Sequence, residues 1–89
     1  MVEKITGKTK SGFEFAIAPH VLDSMELLDA IMDIDETFGT ISKVVKMLLP
    51  ADQRKKLYDH LRTPEGNVPI MAVVEEVAEI FQYNQLGKN

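Results

Sequence analysis

The sequence predicts an α-rich α+β fold: an N-terminal β-hairpin followed by a compact bundle of about four short helices. Three observations carry this reading. Phe13, Phe15 and Ile17 alternate with Glu14 and Ala16, the period-two pattern of a half-buried strand. From Leu27 onward, apolar residues recur at spacings of three and four, as in helices that bury one stripe. Pro50, Pro64 and Pro69 punctuate that helical part, because proline cannot continue a helix but suits its first turn.

Each element follows in order. Val2 to Thr6 supplies a partner strand and Gly7 to Gly12 the turn, so residues 1–18 read as the hairpin. Two strands are marginal alone, so the apolar face must pack on the helices or extend a sheet in a neighbouring subunit. Asp23-Ser24-Met25-Glu26 fits a capping box with Asp23 as the cap. In the helix that follows, Leu27, Leu28, Ile31, Met32 and Ile34 form the stripe. Asp33, Asp35 and Glu36 then place negative charge where the helix dipole disfavours it, so the helix should stop there. Thr37-Phe38-Gly39-Thr40 separates it from a second helix carrying Ile41, Val44, Val45, Leu48 and Leu49. Ala51 to Arg62 makes a third, with Leu57, Tyr58 and Leu61 inward. The fourth runs from about Pro69 to Tyr83, with Ile70, Val73, Val74, Val77, Ile80 and Phe81 inward and Glu75, Glu76 and Glu79 on other faces. Residues 19–83 are thus the helical bundle and 84–89 a flexible tail, all within a single domain, 1–89.

At 89 residues the chain supports one modest core. Its 45% hydrophobic and 27% charged content is that of a globular domain, not a disordered one. Without cysteine there is neither a disulfide framework nor a thiolate metal site. Met1 to Lys4 leads into no apolar run of signal-peptide type, which predicts a soluble cytoplasmic protein.

Net charge is −4 and the sequence pI about 5.0, which disfavours nucleic acid as a partner. The charge alternates along the chain: +2 over residues 1–12, −7 over 13–36, +4 over 37–62 and −4 over 63–82. Such blocks suit antiparallel neighbours within a fold or opposed patches between subunits. Asp23, Glu26, Asp29 and Asp33 share one side of the predicted helix, a candidate docking stripe for a basic surface such as Arg54, Lys55 and Lys56 of another copy.

Chemistry-bearing motifs are absent. His20 and His60 lie forty positions apart with no partner histidine one turn away, so no metal ligands are assigned. Asp33-Ile34-Asp35 resembles the start of a calcium loop, but Phe38 stands at the glycine position and Val44 at the glutamate position. Ser11, Ser24 and Ser42 lack a nucleophile-elbow context, and no glycine-rich phosphate loop occurs. No catalytic or cofactor-binding residue is assigned, and the chain is not expected to be an enzyme. What remains is interaction chemistry: Met25, Met32, Met47 and Met71 are spread over the helices, and their flexible thioethers suit either core gaps or adaptable surfaces.

The stretch His60-Leu61-Arg62-Thr63-Pro64-Glu65-Gly66-Asn67-Val68-Pro69-Ile70, with Gly12-Phe13-Glu14-Phe15 and Val21 to Leu28, resembles the tail assembly chaperones of long-tailed phages and of prophages in Gram-positive bacteria. The resemblance spans roughly residues 12 to 82 in the same order. It implies a non-catalytic protein of the bacterial host cytoplasm that binds and solubilises the tape-measure protein, helps recruit tail-tube subunits, and is not retained in the mature virion. It carries across no binding residue. Candidate contacts read from the sequence are Phe13 and Phe15 on the hairpin and Ile41, Val45 and Leu48 on the second helix, with a homo-oligomer as a further expectation. Relatives also make an extended form by frameshifting, which contacts the tail-tube protein. Gly87-Lys88-Asn89 is compatible with a slippery codon run. The rival reading is a small regulator that binds a cellular protein or DNA through Lys43, Lys46 and Arg54 to Lys56.

Overall fold

The computed structural model describes residues 4–36 and 39–86. An antiparallel hairpin, β1 (Ile5–Lys8) and β2 (Glu14–Ile17), is followed by five helices: α1 (Pro19–Leu22), α2 (Met25–Met32), α3 (Thr40–Leu48), α4 (Ala51–Leu61) and α5 (Ile70–Leu86). A single 3₁₀ turn, Asp33–Asp35, ends α2 where the acidic run was expected to stop it. The expected separator at Thr37 and Phe38, and the Gly87-Lys88-Asn89 tripeptide, lie outside the described residues.

Ile5 pairs with Ile17 and Lys8 with Glu14, so β1 ends two residues later than the Val2 to Thr6 strand expected from sequence, while β2 lies where the Phe13 to Ile17 alternation places it. The turn closes through Gly12, whose φ of +99° is a conformation that favours glycine. The amide of Ala16 donates to Gln53 Oε1 at 3.2 Å and its carbonyl accepts from Gln53 Nε2 at 2.8 Å. Both polar groups of one strand residue point to the same edge, so Gln53 of α4 caps the open edge of β2 where a neighbouring strand would otherwise add. Of the two fates expected for the hairpin, packing on its own helices is the one observed.

Phe13, Phe15, Ile17, Leu22, Leu27, Ile34, Ile41, Val44, Val45, Leu48, Leu49, Leu57, Val73, Val77 and Ile80 form one core. The expected inward stripes of α3 and α5 account for half of the buried core. Four expectations are corrected. Asp23 does not cap α2: Ser24 Oγ accepts from the Leu27 amide at 3.3 Å, while the Asp23 amide is already committed to Pro19 O, closing α1. Helix α5 extends to Leu86, so residues 84–86 continue the helix instead of opening the tail. Met32 and Ile70, read as core, are exposed. Glu76, read as outward, is buried at 5% exposure, because it lies three residues after Val73 and four before Ile80 on the same helix face.

Candidate functional site

Two features of the folded chain go beyond what its core requires. The first is a polar cluster where the hairpin turn meets the bundle. Ser11 Oγ donates to Glu76 Oε2 at 2.8 Å, and Thr9 Oγ1 lies 3.1 Å from Ser11 Oγ. His60 Nε2 lies 3.0 Å from the Ser11 carbonyl and 3.2 Å from Ser11 Oγ. A carbonyl only accepts, and the Ser11 proton is taken by Glu76, so His60 Nε2 carries the hydrogen in this network. The Lys10 amide donates to Glu79 Oε2 at 2.7 Å, one turn further along α5.

A serine, a histidine and a buried glutamate together invite comparison with a hydrolytic triad. There, histidine takes the serine proton and the acid sits behind the imidazole. Here Glu76 accepts the hydrogen bond of Ser11 directly and His60 donates to the Ser11 carbonyl, so the arrangement is not that of a triad and the network fastens the turn to α4 and α5. Glu76 Oε1 is buried with no hydrogen-bond partner among the described residues.

The second feature is an apolar groove of about 260 Å³ between α3, α4 and the segment entering α5, lined by Ile41, Ser42, Val45, Tyr58, Val68, Ile70 and Val73. Pro69 opens α5 by accepting the Val73 amide, which sets Ile70 and Met71 in the first exposed turn. Ile70 is 57% and Met71 52% exposed, a density of uncovered aliphatic surface that a closed core does not leave. A second cleft of about 220 Å³ on the other flank of α5 is lined by Ile31, Met32, Ile34, Val74, Val77 and Ala78. A wide furrow of about 700 Å³ across the hairpin carries Lys8, Glu14, Asp52 and Lys56 along with Phe15 and Tyr83, two charges of each sign with no common focus.

The candidate contacts read from sequence are redistributed accordingly. Phe13, Phe15, Ile41, Val45 and Leu48 are all buried, so none offers a free apolar surface, and the expectation that they do is corrected. They were chosen from the most regular apolar patterns, which are also the patterns that build a core. Ile41 and Val45 still reach the groove from beneath, as its floor. Asp23, Glu26, Asp29 and Asp33 are exposed, as are Lys55 and Lys56, while Arg54 is half-buried and donates to Leu49 O at 3.4 Å. Ile70 and Val68 also line the groove, although neither is among the candidates read from sequence. The signal available was Val68-Pro69-Ile70 itself: apolar residues on both sides of a helix-opening proline lie where two elements meet and cover is thinnest.

Among the described residues no helix is long and apolar enough to cross a membrane, and no three His, Asp or Glu side chains gather as a metal site. Comparison with known protein families, with curated proteins and with solved structures finds no match.

Proposed function

We propose that this chain is a phage tail assembly chaperone that holds the tape-measure protein soluble and helps recruit tail-tube subunits around it. The reading draws on the sequence resemblance across residues 12 to 82. The observation that carries it on the structural side is Ile70, which lines an apolar groove while more than half exposed, with the exposed Met71 next to it in the first turn of α5. An amphipathic client helix lays its apolar face into such a groove. Covering the exposed half of two large aliphatic side chains contributes about 2 kcal/mol, with more from Val68 and Tyr58. A grip of that size is reversible, so tube subunits can displace the chaperone as they assemble. Binding takes place in the host cytoplasm, before the virion is complete, and no bond is made or broken.

The test is co-expression with the tape-measure and tail-tube proteins of the same gene cluster, scoring soluble yield and complex formation at low and high salt. Soluble, salt-resistant complexes support the chaperone. Failure with both partners, with DNA retained only at low salt, moves the reading to a regulator acting through Lys43, Lys46 and Arg54 to Lys56, of which the four lysines are exposed.

A further inference from the structure

The two edges of the hairpin are finished differently. Ala16 of β2 turns its amide and carbonyl away from β1, and Gln53 takes both. Ala16 stands opposite Thr6, so this is a pair that exchanges no hydrogen bond, and Thr6 likewise turns its amide and carbonyl outward, to the far edge of β1. Lys8, two residues on and opposite Glu14, does the same. Among the described residues neither main chain finds a partner there. Both residues are exposed. Such an edge is complementary to one class of ligand, the main chain of an extended peptide, which exchanges two hydrogen bonds with each outward-facing residue when it adds antiparallel.

The side chains along the edge select the peptide. Lys8 shares the outer face of the hairpin with Thr6, Lys4 precedes the strand at the same spacing, and both lysines are exposed. The ion pairs among the described residues involve neither. A second copy is disfavoured, because two β1 strands paired antiparallel about Thr6 would set each Lys8 against the other's Lys4, and like charges directly opposite repel. An acidic strand meets the same lysines with the opposite sign. On the inner face, the Phe15 and Tyr83 rings close over Gly7 edge to face, with centroids 5.3 Å apart, and a methyl group on Gly7 would lie 2.7 Å from each ring. Tyr83 is still 42% exposed, and it borders the hairpin furrow beside Thr6, Gly7 and Lys8. We propose that the free edge of β1 binds an acidic extended peptide of a partner protein by strand addition. Two acids four residues apart lie opposite Lys4 and Lys8, and an apolar residue opposite Gly7 lies against Tyr83. The inference does not rest on the chaperone reading, whose client helix lies on the α3–α4–α5 groove, so the two fail separately.

The experiment is an NMR titration of the full chain, to millimolar ligand, with the capped peptide Ser-Glu-Val-Thr-Val-Glu-Ser and with its counterpart carrying lysine in place of both glutamates. In the free protein the Thr6 and Lys8 amides are expected to exchange with solvent faster than the Gly7 amide, which faces β2. The acidic peptide is expected to shift both amides and slow their exchange, more weakly as salt is added, and the lysine peptide to leave them unchanged. Lys4→Glu combined with Lys8→Glu should bind the acidic peptide about tenfold more weakly, since two attractive cross-strand pairs become repulsive, and should take up the lysine peptide instead. Both positions are exposed, and an unchanged thermal melt confirms that the variant folds. The comparison of the two peptides on wild type requires no variant. Absence of binding by the acidic peptide overturns the proposal. So does equal binding of both peptides by wild type, or a response centred on Ile70 and Val73 of the groove in place of Thr6 and Lys8.

Discussion

Glu76 is the residue whose position depends most on its neighbours. A buried carboxylate that keeps only one of its hydrogen bonds makes Ser11 matter more than an exposed turn serine ordinarily would. Ser11→Ala is expected to lower stability by about 1 kcal/mol, the low end for a stranded buried polar group because solvent can reach the vacated site. His60→Ala removes only bonds at the exposed side and should cost less, about 0.5 kcal/mol. Urea denaturation midpoints of the two variants check the ranking, and a larger loss from His60→Ala would mean that the imidazole and not the carboxylate anchors the turn. Asp59 gives a pH signature. A hydrogen bond from Lys55 at 2.9 Å, then its charge, and lastly Arg62 hold the Asp59 carboxyl below the usual carboxylate range. Because the folded value is the depressed one, the small stabilisation is whole above the unfolded value of about 3.9 and is lost as pH falls through the folded value. A side-chain NMR titration should find Asp59 returning toward the ordinary value in Lys55→Gln, with little change in stability at neutral pH, since the group is fully exposed.

At the scale of elements, helix α2 shows how far local chemistry decides and where it stops. Asp23 and Ser24 are both good caps by residue type, and either fits the sequence. In the fold Asp23 is the residue that closes the short helix opened by Pro19, and the next helix starts one residue later with Ser24 as its cap. Ser24→Ala is accordingly expected to cost about 1 kcal/mol and Asp23→Ala a few tenths, by thermal melts at neutral pH. The reverse order would restore Asp23 as the cap. The same contrast runs through the fold. Hairpin, helix order and about two thirds of the core follow from period-two and period-3.6 patterning in Phe13 to Ile17, Ile41 to Leu49 and Val73 to Ile80. Helix α1 is legible only as a proline at a first turn, and four residues are too few to show a period. Met32 and Ile70 were misplaced because periodicity assigns a residue to a face without saying whether that face receives a partner. Both stand at helix ends, where the neighbouring element has already turned away.

On the scale of the whole molecule, the Cα radius of gyration of 12.7 Å is close to the roughly 12 Å of a compact chain of this size, but the longest extent is 41 Å. The 17-residue α5, about 25 Å long, is the longest helix among the described residues and carries Ile70 and Met71 in its first turn. That geometry separates a residue that holds the fold from one that meets a partner. Leu48 and Phe13 sit at 1% and 4% exposure, so Leu48→Ala or Phe13→Ala is expected to cost about 2–5 kcal/mol. Such a loss is a large share of a small domain's stability and would remove any client binding only by unfolding the chain. Ile70→Glu combined with Met71→Glu changes two side chains already more than half in water, and should leave the denaturation midpoint within about 0.5 kcal/mol of wild type. If the groove mouth meets the client, the same double variant loses tape-measure solubilisation in co-expression, because two charges must then be desolvated against an apolar helix. Retained solubilisation by a stably folded double variant would take the client off this surface and direct the search to the α2–α5 cleft, where Met32 is the exposed anchor.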